Sequence, residues 1–446
     1  MSGSLTSVDR GWQRLRWLLL FLAIAAPLFF AVNRAGSRGF FYGDDLSTLS
    51  WAETGEVPVF LGWLVSPRFH PSNFRPVGAF YYRLLGGNVG LWYPPYVAVI
   101  QIIHFCNVIA LYLLLQRLKL PPLACAAGAA FFLFHIATVD AYWKPMYVFD
   151  LLCASFCLLT LLLYTCGHWL IGLVTFWLAF KSKEVAVMLP AVLAAYELLL
   201  GNRNWKRLVP YFAISLNFGL QGLLENRHTD NSYTLRFTPG DLGTSLTYYA
   251  TELLLNPYFC VLVLIAVVLA RDARVYFGFL TMLFLLFPML PLTGRLFSVY
   301  WYVPMIGVSV IVAALCAASP RWLVVGAMAC WLLGNYALLQ QKQKVILDAA
   351  NDNRTYFDSL AALARRDPGI RVFGYENLPD ELYIWGVEGS VSLLFGYNRR
   401  VYRLPSEEFD AAARHEKSCV LEWESGPRRL MISYPAGVAQ AARYSK

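Results

Sequence analysis

The sequence predicts an all-α polytopic membrane protein of about eleven transmembrane helices, followed by a small C-terminal α/β domain outside the membrane. Three observations carry this. Of 446 residues, 58% are hydrophobic and only 15% charged, against about 25% charged in a soluble domain. Long apolar runs, such as 17–32 and 303–318, contain no charge. The last hundred or so residues lose that character and alternate polar stretches with short β-rich ones.

Within the hydrocarbon core only helices or closed barrels satisfy every backbone polar group. The short alternating segments of a barrel are absent. A helix needs about 20 apolar residues to cross, so spans are expected at 17–33, 96–115, 122–139, 146–164, 168–180, 184–200, 208–224, 258–270, 275–291, 299–318 and 321–340. Segment 242–257 reads as an interfacial helix or part of a tilted span. The basic, polar stretch 1–16 lacks a small-x-small cleavage site, which predicts an uncleaved first helix. Arg10, Arg14 and Arg16 place the N-terminus in the cytoplasm, with Arg117, Lys119, Arg203, Lys206, Arg207, Arg271, Arg274 and Arg321 on the same side. Loop 34–95 and the tail then face the other, non-cytoplasmic side, as expected for a bacterial inner-membrane protein. Aromatic and proline-rich, that loop is expected to lie partly along the membrane surface.

Two domains follow: a transmembrane part, 1–340, and an extracytoplasmic tail, 341–446. In the tail, residues 342–366 have helical spacing and stop at Asp367-Pro368-Gly369. Strand-like stretches follow at 371–375, 382–394, 400–403 and 418–423.

The net charge of +9 comes from short loops at helix ends, so it points to lipid headgroups and not to nucleic acid. Cysteines lie almost all in apolar runs, which implies no disulfide framework. The histidines lack zinc-ligand spacing, and neither a GxxxxGK nor a GxSxG motif is present.

The chemistry gathers on the non-cytoplasmic side. Asp44-Asp45 follows the first span directly. Adjacent carboxylates there serve as a general base or hold a metal, or simply cap a helix. Arg75, in His70-Pro71-Ser72-Asn73-Phe74-Arg75-Pro76-Val77, has the fork geometry that grips phosphate, or it snorkels to headgroups. Lys183-Glu184 reads as an interfacial ion pair or as part of a site. Lys144 and Arg295 add cations at outer helix ends, where one anionic ligand or separate lipid headgroups account for them. Asp140 and Asp150 are acids at or inside spans. An acid so placed is a functional candidate or a structural hydrogen bond.

Taken in order, these segments resemble the GT-C class of membrane glycosyltransferases, most closely the O-mannosyltransferases that carry tetratricopeptide repeats and their bacterial relatives. Asp44-Asp45 matches that family's paired acid. Ser72 to Val77 looks like its S-x-x-R-P-[LV] segment. His135 through Asp150-Leu151-Leu152 resembles its H-P-x-x-x-E-A…D-L-L stretch. Lys183-Glu184 with Tyr196-Glu197-Leu198-Leu199 is similar to its S-K-E…L-Y-[DE]-L-L helix, and Tyr300-Trp301-Tyr302-Val303-Pro304 to its Y-L-Y-L-P. Ile136 replaces a proline, Val148 an arginine, and Ser298-Val299 an acid–arginine pair for which Arg295 stands in. The tail has no 34-residue helical repeat, so substrate choice does not carry over.

The resemblance implies an inverting transfer of a sugar from a polyprenyl-phosphate carrier to a hydroxyl on protein, lipid or glycan. Asp44 would be the base and Asp45 a second acid. Arg75, Lys183, Arg295 and Lys144 would bind the donor phosphate, and Glu184, Asp140, Asp150 and His135 would organise the site. No cofactor is expected, though paired acids leave room for a divalent metal. A transporter or flippase of a lipid-linked sugar, a scaffold and a whole-glycan ligase are the competing classes. Transporters show internal repeats, which are absent.

Overall fold

The protein is described by a computed structural model over residues 7–54, 56–68, 75–225, 234–254 and 268–435. Helices α1 (Ser7–Asn33), α2 (Gly43–Thr54), α3 (Val57–Val65), α4 (Pro76–Val89), α5 (Tyr93–Arg117), α6 (Pro122–Phe134), α7 (Val139–Trp143), α8 (Val148–Thr165), α9 (Trp169–Ser182), α10 (Leu189–Leu199), α11 (Val209–Glu225), α12 (Pro239–Leu254), α13 (Ala273–Leu286) and α14 (Met305–Ala318) form the membrane part. Prolines open α3, α4, α5, α6 and α10. Each sits where the missing N–H has no helical partner to lose.

By length and composition α1, α5, α8 and a later helix can each cross a bilayer. The pair Pro122–Phe134 and Ile136–Trp143, bent by 51°, makes a fifth. Three shorter apolar helices stand beside them. Among the described residues this is fewer full-length spans than the apolar runs suggested, because several runs are interrupted. The run at 184–200 is a 3-10 turn, Glu184–Met188, followed by the 11-residue α10. The run at 299–318 opens on a 3-10 turn, Ser298–Trp301, before α14. Most of the expected span at 258–270 lies outside the described residues. The first outer loop is helical in α2, α3 and α4, and α3 exposes Val57, Val59, Leu61 and Val65, as an interfacial helix would.

Buried amide and imidazole groups inside the bundle find partners, as the low dielectric favours. His104 Nδ1 lies 2.7 Å from the Tyr302 hydroxyl, and Asn107 donates to that hydroxyl and to the Leu151 carbonyl.

Helix α15 (Arg321–Arg366) runs unbroken for 46 residues, straight through the boundary expected at 340/341. It ends where the sequence placed the stop. Beyond it come β1 (Val372–Glu376), α16 (Tyr383–Phe395), β2 (Arg400–Arg403), α17 (Glu407–Ala413), β3 (Ser418–Glu424) and β4 (Arg429–Ser433). The sheet order is β2-β1-β3-β4, with β1 parallel to β2 and β3, and β4 antiparallel to β3. The stretch 382–394, expected as strand, is helix α16. Its β-branched and aromatic residues favour strand locally, while Gly386 and Gly389 pack it as a helix against α2.

Candidate active site

The acid pair sits in the first turn of α2, where the helix dipole favours negative charge. The turn is docked against the C-terminal domain. The Gly43 N–H donates to the Glu381 carbonyl at 3.1 Å, and a Cβ on Gly43 would overlap the Leu382 backbone. One turn on, α16 crosses α2 so closely that a Cβ on Gly389 would collide with the backbone of Leu46 and Ser47. Glycine at these positions is what lets the two helices touch.

The two carboxylates have different surroundings. Asp45 is buried. It accepts from the Tyr42 N–H at 2.8 Å and from the Tyr82 hydroxyl, so it closes the start of its own helix as an acid at N3 does. Burial pushes its carboxyl up to about 7, with those two donors pulling the other way. Asp44 instead faces a cavity of about 650 Å³. Among the described residues no side chain pairs with its carboxylate. Burial raises its pKa, and Arg295, Arg75 and Lys183 hold the rise back. Each Asp45 oxygen thus accepts one hydrogen bond from a neighbouring group. Among the described residues no cluster of three His, Cys, Asp or Glu suits a metal ion.

Arg75, Lys183, Arg295 and Asp150 line the same cavity. Arg75 stands just before α4 and donates from Nε and Nη2 to the two Glu184 oxygens, at 2.8 and 2.9 Å. Lys183 ends α9, and its Nζ reaches both Asp150 oxygens at 2.6 and 2.7 Å. The Lys183-Glu184 pairing read from adjacency is therefore corrected. The extended backbone at Lys183 sends neighbouring side chains to opposite sides, so Asp150 anchors Lys183 and Glu184 anchors Arg75. The Arg75 partnership holds the Glu184 carboxyl below its usual range against the effect of burial. Arg295 Nε lies 3.4 Å from the Tyr300 hydroxyl, and Lys183 Nζ sits 4.8 Å over the Tyr300 ring. Arg75 and Lys183 keep further N–H donors beyond those committed to acids.

Five expected residues lie off the cavity wall: Asp45 and Glu184, behind the groups that do line it, and Lys144, Asp140 and His135. Lys144 was placed among the phosphate-binding cations; its ammonium is instead committed to Glu381, at 2.6 and 2.8 Å, and to Asp140, at 3.1 Å. Asp140 in turn holds Lys342 at 2.6 Å and the Ser298 hydroxyl at 2.8 Å. This buried network ties the membrane helices to the loop after β1. His135 is structural as well. Its Nδ1 accepts from the Ala137 N–H and its Nε2 lies 3.2 Å from the Leu253 carbonyl, fixing the bend after α6. His70 and Ser72 to Phe74 lie outside the described residues.

The cavity's other wall has no counterpart among the expected site residues. Tyr375, Asn377, Glu381, Tyr383, Trp385 and Arg403 line it from the C-terminal domain. They come from the carboxyl ends of the parallel strands β1 and β2, the loop between β1 and α16, and the first turn of α16. Crevices at those ends are where open α/β sheets bind ligands. No motif spacing marks these residues; only the strand order does.

Among solved structures, ArnT from Cupriavidus metallidurans in the apo state matches this chain. The match covers 97% of this chain and 95% of ArnT, at 13% identity and a TM-score of 0.54. The chain has the GT-C fold. No protein-family model matches it, and no curated protein matches its sequence. The fold agrees with the resemblance drawn from Asp44-Asp45 and the segments that follow.

Proposed function

We propose that this chain is an inverting GT-C glycosyltransferase that moves a sugar from a polyprenyl-phosphate carrier to a hydroxyl acceptor on the non-cytoplasmic face. The observation that carries the reading is one cavity holding an unpaired carboxylate, Asp44, beside Arg75, Lys183 and Arg295. ArnT, whose fold the chain shares, is itself a GT-C glycosyltransferase. In this orientation the N-terminus is cytoplasmic and the C-terminal domain lies outside, over the membrane.

The donor's isoprenoid tail stays in lipid, and its phosphate takes the N–H groups of Arg75 and Lys183 not engaged by Glu184 and Asp150. Asp44 removes the proton from the acceptor hydroxyl as that oxygen attacks the anomeric carbon from the face opposite the phosphate. The bond from that carbon to the phosphate oxygen breaks, and the electron pair leaves with the carrier phosphate. Negative charge then grows where the guanidinium and ammonium groups already point, and such preorganisation stabilises the transition state without reorganisation cost. The raised pKa of Asp44 makes it a stronger base than an ordinary aspartate at neutral pH. Asp45 and the Lys144–Glu381 pair fix the turn that presents it.

The test is transfer from a polyprenyl-phosphate sugar by purified Asp44→Asn protein. Loss of a positioned base lowers kcat by about 10²–10⁴-fold. The acid limb of the wild-type rate profile should lie above the ordinary aspartate range of about 3.9, because deprotonated Asp44 is the active form. Turnover by Asp44→Asn at the wild-type rate defeats the assignment.

A further inference from the structure

We propose that Tyr383, Trp385 and Arg403 form an acceptor subsite that stacks a sugar ring and holds an acidic group on it, so the acceptor is an anionic glycan. The inference rests on the transferase reading and deepens it. The charges around the cavity are mostly spoken for: Lys183 by Asp150, Arg75 by Glu184, and Glu381 by Lys144. Arg403 lies at the carboxyl end of β2 and is exposed, and among the described residues it makes no ion pair. A guanidinium left without an acid in a cavity is a ready partner for a carboxylate or phosphate.

Two aromatic rings line the same cavity. Tyr383 is 47% and Trp385 54% exposed, although both belong to a domain with apolar core available to them. Ring faces presented to water inside a cavity suit the apolar face of a pyranose and its C–H groups. The loop that presents them is held in an unfavourable conformation: Asn377, Glu381 and Tyr383 have φ of 50°, 64° and 50°. For an aromatic residue this left-handed backbone is an outlier, and it persists only where the surroundings over-determine it. Here the Lys144–Glu381 pair and the Gly43 N–H to Glu381 carbonyl bond do so. The loop is thereby fixed to the turn that carries Asp44.

A sugar ring at this wall could belong to donor or acceptor. The donor is tethered to lipid and its phosphate needs Arg75 and Lys183, which the membrane helices supply. Trp385 and Arg403 come from the water-facing domain, the side from which a soluble or protruding acceptor enters.

The test uses the full-length protein in lipid nanodiscs and two probes, methyl β-D-glucuronide and methyl β-D-glucoside, read by saturation-transfer NMR and competition. Wild type should bind the glucuronide more tightly. Arg403→Ala should weaken the glucuronide by about tenfold or more, the value of a charge-assisted hydrogen bond, and leave the glucoside unchanged. Trp385→Ala should remove both signals, and Trp385→Phe should restore them. Undecaprenyl phosphate affinity, measured in parallel, should be the same in all these proteins. Equal binding of the two glycosides by wild type overturns the proposal, as does glucuronide binding that survives both Arg403→Ala and Trp385→Ala. Glycoside binding with these losses, in a protein that binds no undecaprenyl phosphate, upholds the subsite and sinks the donor reading instead.

Discussion

The Lys183–Asp150 pair separates folding from donor binding. The two side chains are 9% and 3% exposed, and the ammonium reaches both carboxylate oxygens at 2.6 and 2.7 Å. Lys183→Met leaves a buried carboxylate without its partner, which costs about 3–5 kcal/mol of stability. Lys183→Met with Asp150→Leu replaces the whole pair by apolar groups of similar volume, a change that is about neutral or mildly stabilising. If the pair were only structural, the double variant would recover everything the single one lost. The phosphate site predicts otherwise. The lost ammonium removes a hydrogen bond to a charged group worth about 1.5–3 kcal/mol, so donor affinity falls about 10- to 100-fold in both variants. The assay is thermal unfolding in detergent alongside titration of undecaprenyl phosphate. A double variant that unfolds like wild type and also binds like wild type refutes the role of Lys183 at the phosphate. A single variant as stable as wild type refutes the buried pair itself.

Three further outcomes are expected. Glu184→Gln frees Arg75 from its two-point anchor, and a misplacement of about 1 Å lowers kcat by as much as about 100-fold; single-turnover rates check this, and an unchanged rate removes Glu184 from the site. Gly389→Ala adds one methyl against the Leu46 and Ser47 backbone, costing about 1–3 kcal/mol and moving Asp44, so melting temperature and kcat should fall together; an unaltered pair of values would mean that α2 and α16 are not in contact. Asp45 supplies the pH dependence. Its folded pKa, raised by burial to about 7 from the ordinary 3.8, makes its contribution to stability fully present below the lower value and lost as pH rises through the upper one. Wild type should therefore gain thermal stability relative to Asp45→Asn as the buffer goes from pH 8 to pH 5, and a difference independent of pH would disprove it.

Much of the membrane part was legible. Apolar runs gave the helices, and acids and cations collected on one side placed Asp44, Arg75, Lys183 and Arg295 within reach of one another. What adjacency could not give was partner exchange. Neighbours in sequence, Lys183 and Glu184 diverge because the backbone between two helices is extended, and each finds its counterion on another element. Lys144 looked like one more surface cation because its partner, Glu381, is 237 residues away. The C-terminal wall was illegible for a related reason. Tyr383 and Trp385 sit in a segment whose composition favours strand, and only the contact with α2 made it a helix. Arg403 reaches the cavity because β2 pairs beside β1, a topological fact with no local signature.

The unbroken α15 behaves as a mast. At about 1.5 Å per residue its 46 residues rise about 69 Å, while the hydrocarbon layer takes up only about 30 Å. The polar stretch from Gln340 onward continues the same rod for about 40 Å, braced first against Tyr42 and Phe41 by Ile346 and Asn353 and then against Trp423 by Tyr356. Altitude and bearing are both counted in residues. Removing one residue between those braces would shift them by about 1.5 Å and turn them by about 100°, setting the sheet's hold on the mast against the separate docking of α16 on α2. Loops at the rim are free of that double constraint, whereas the stem tolerates almost no change in length.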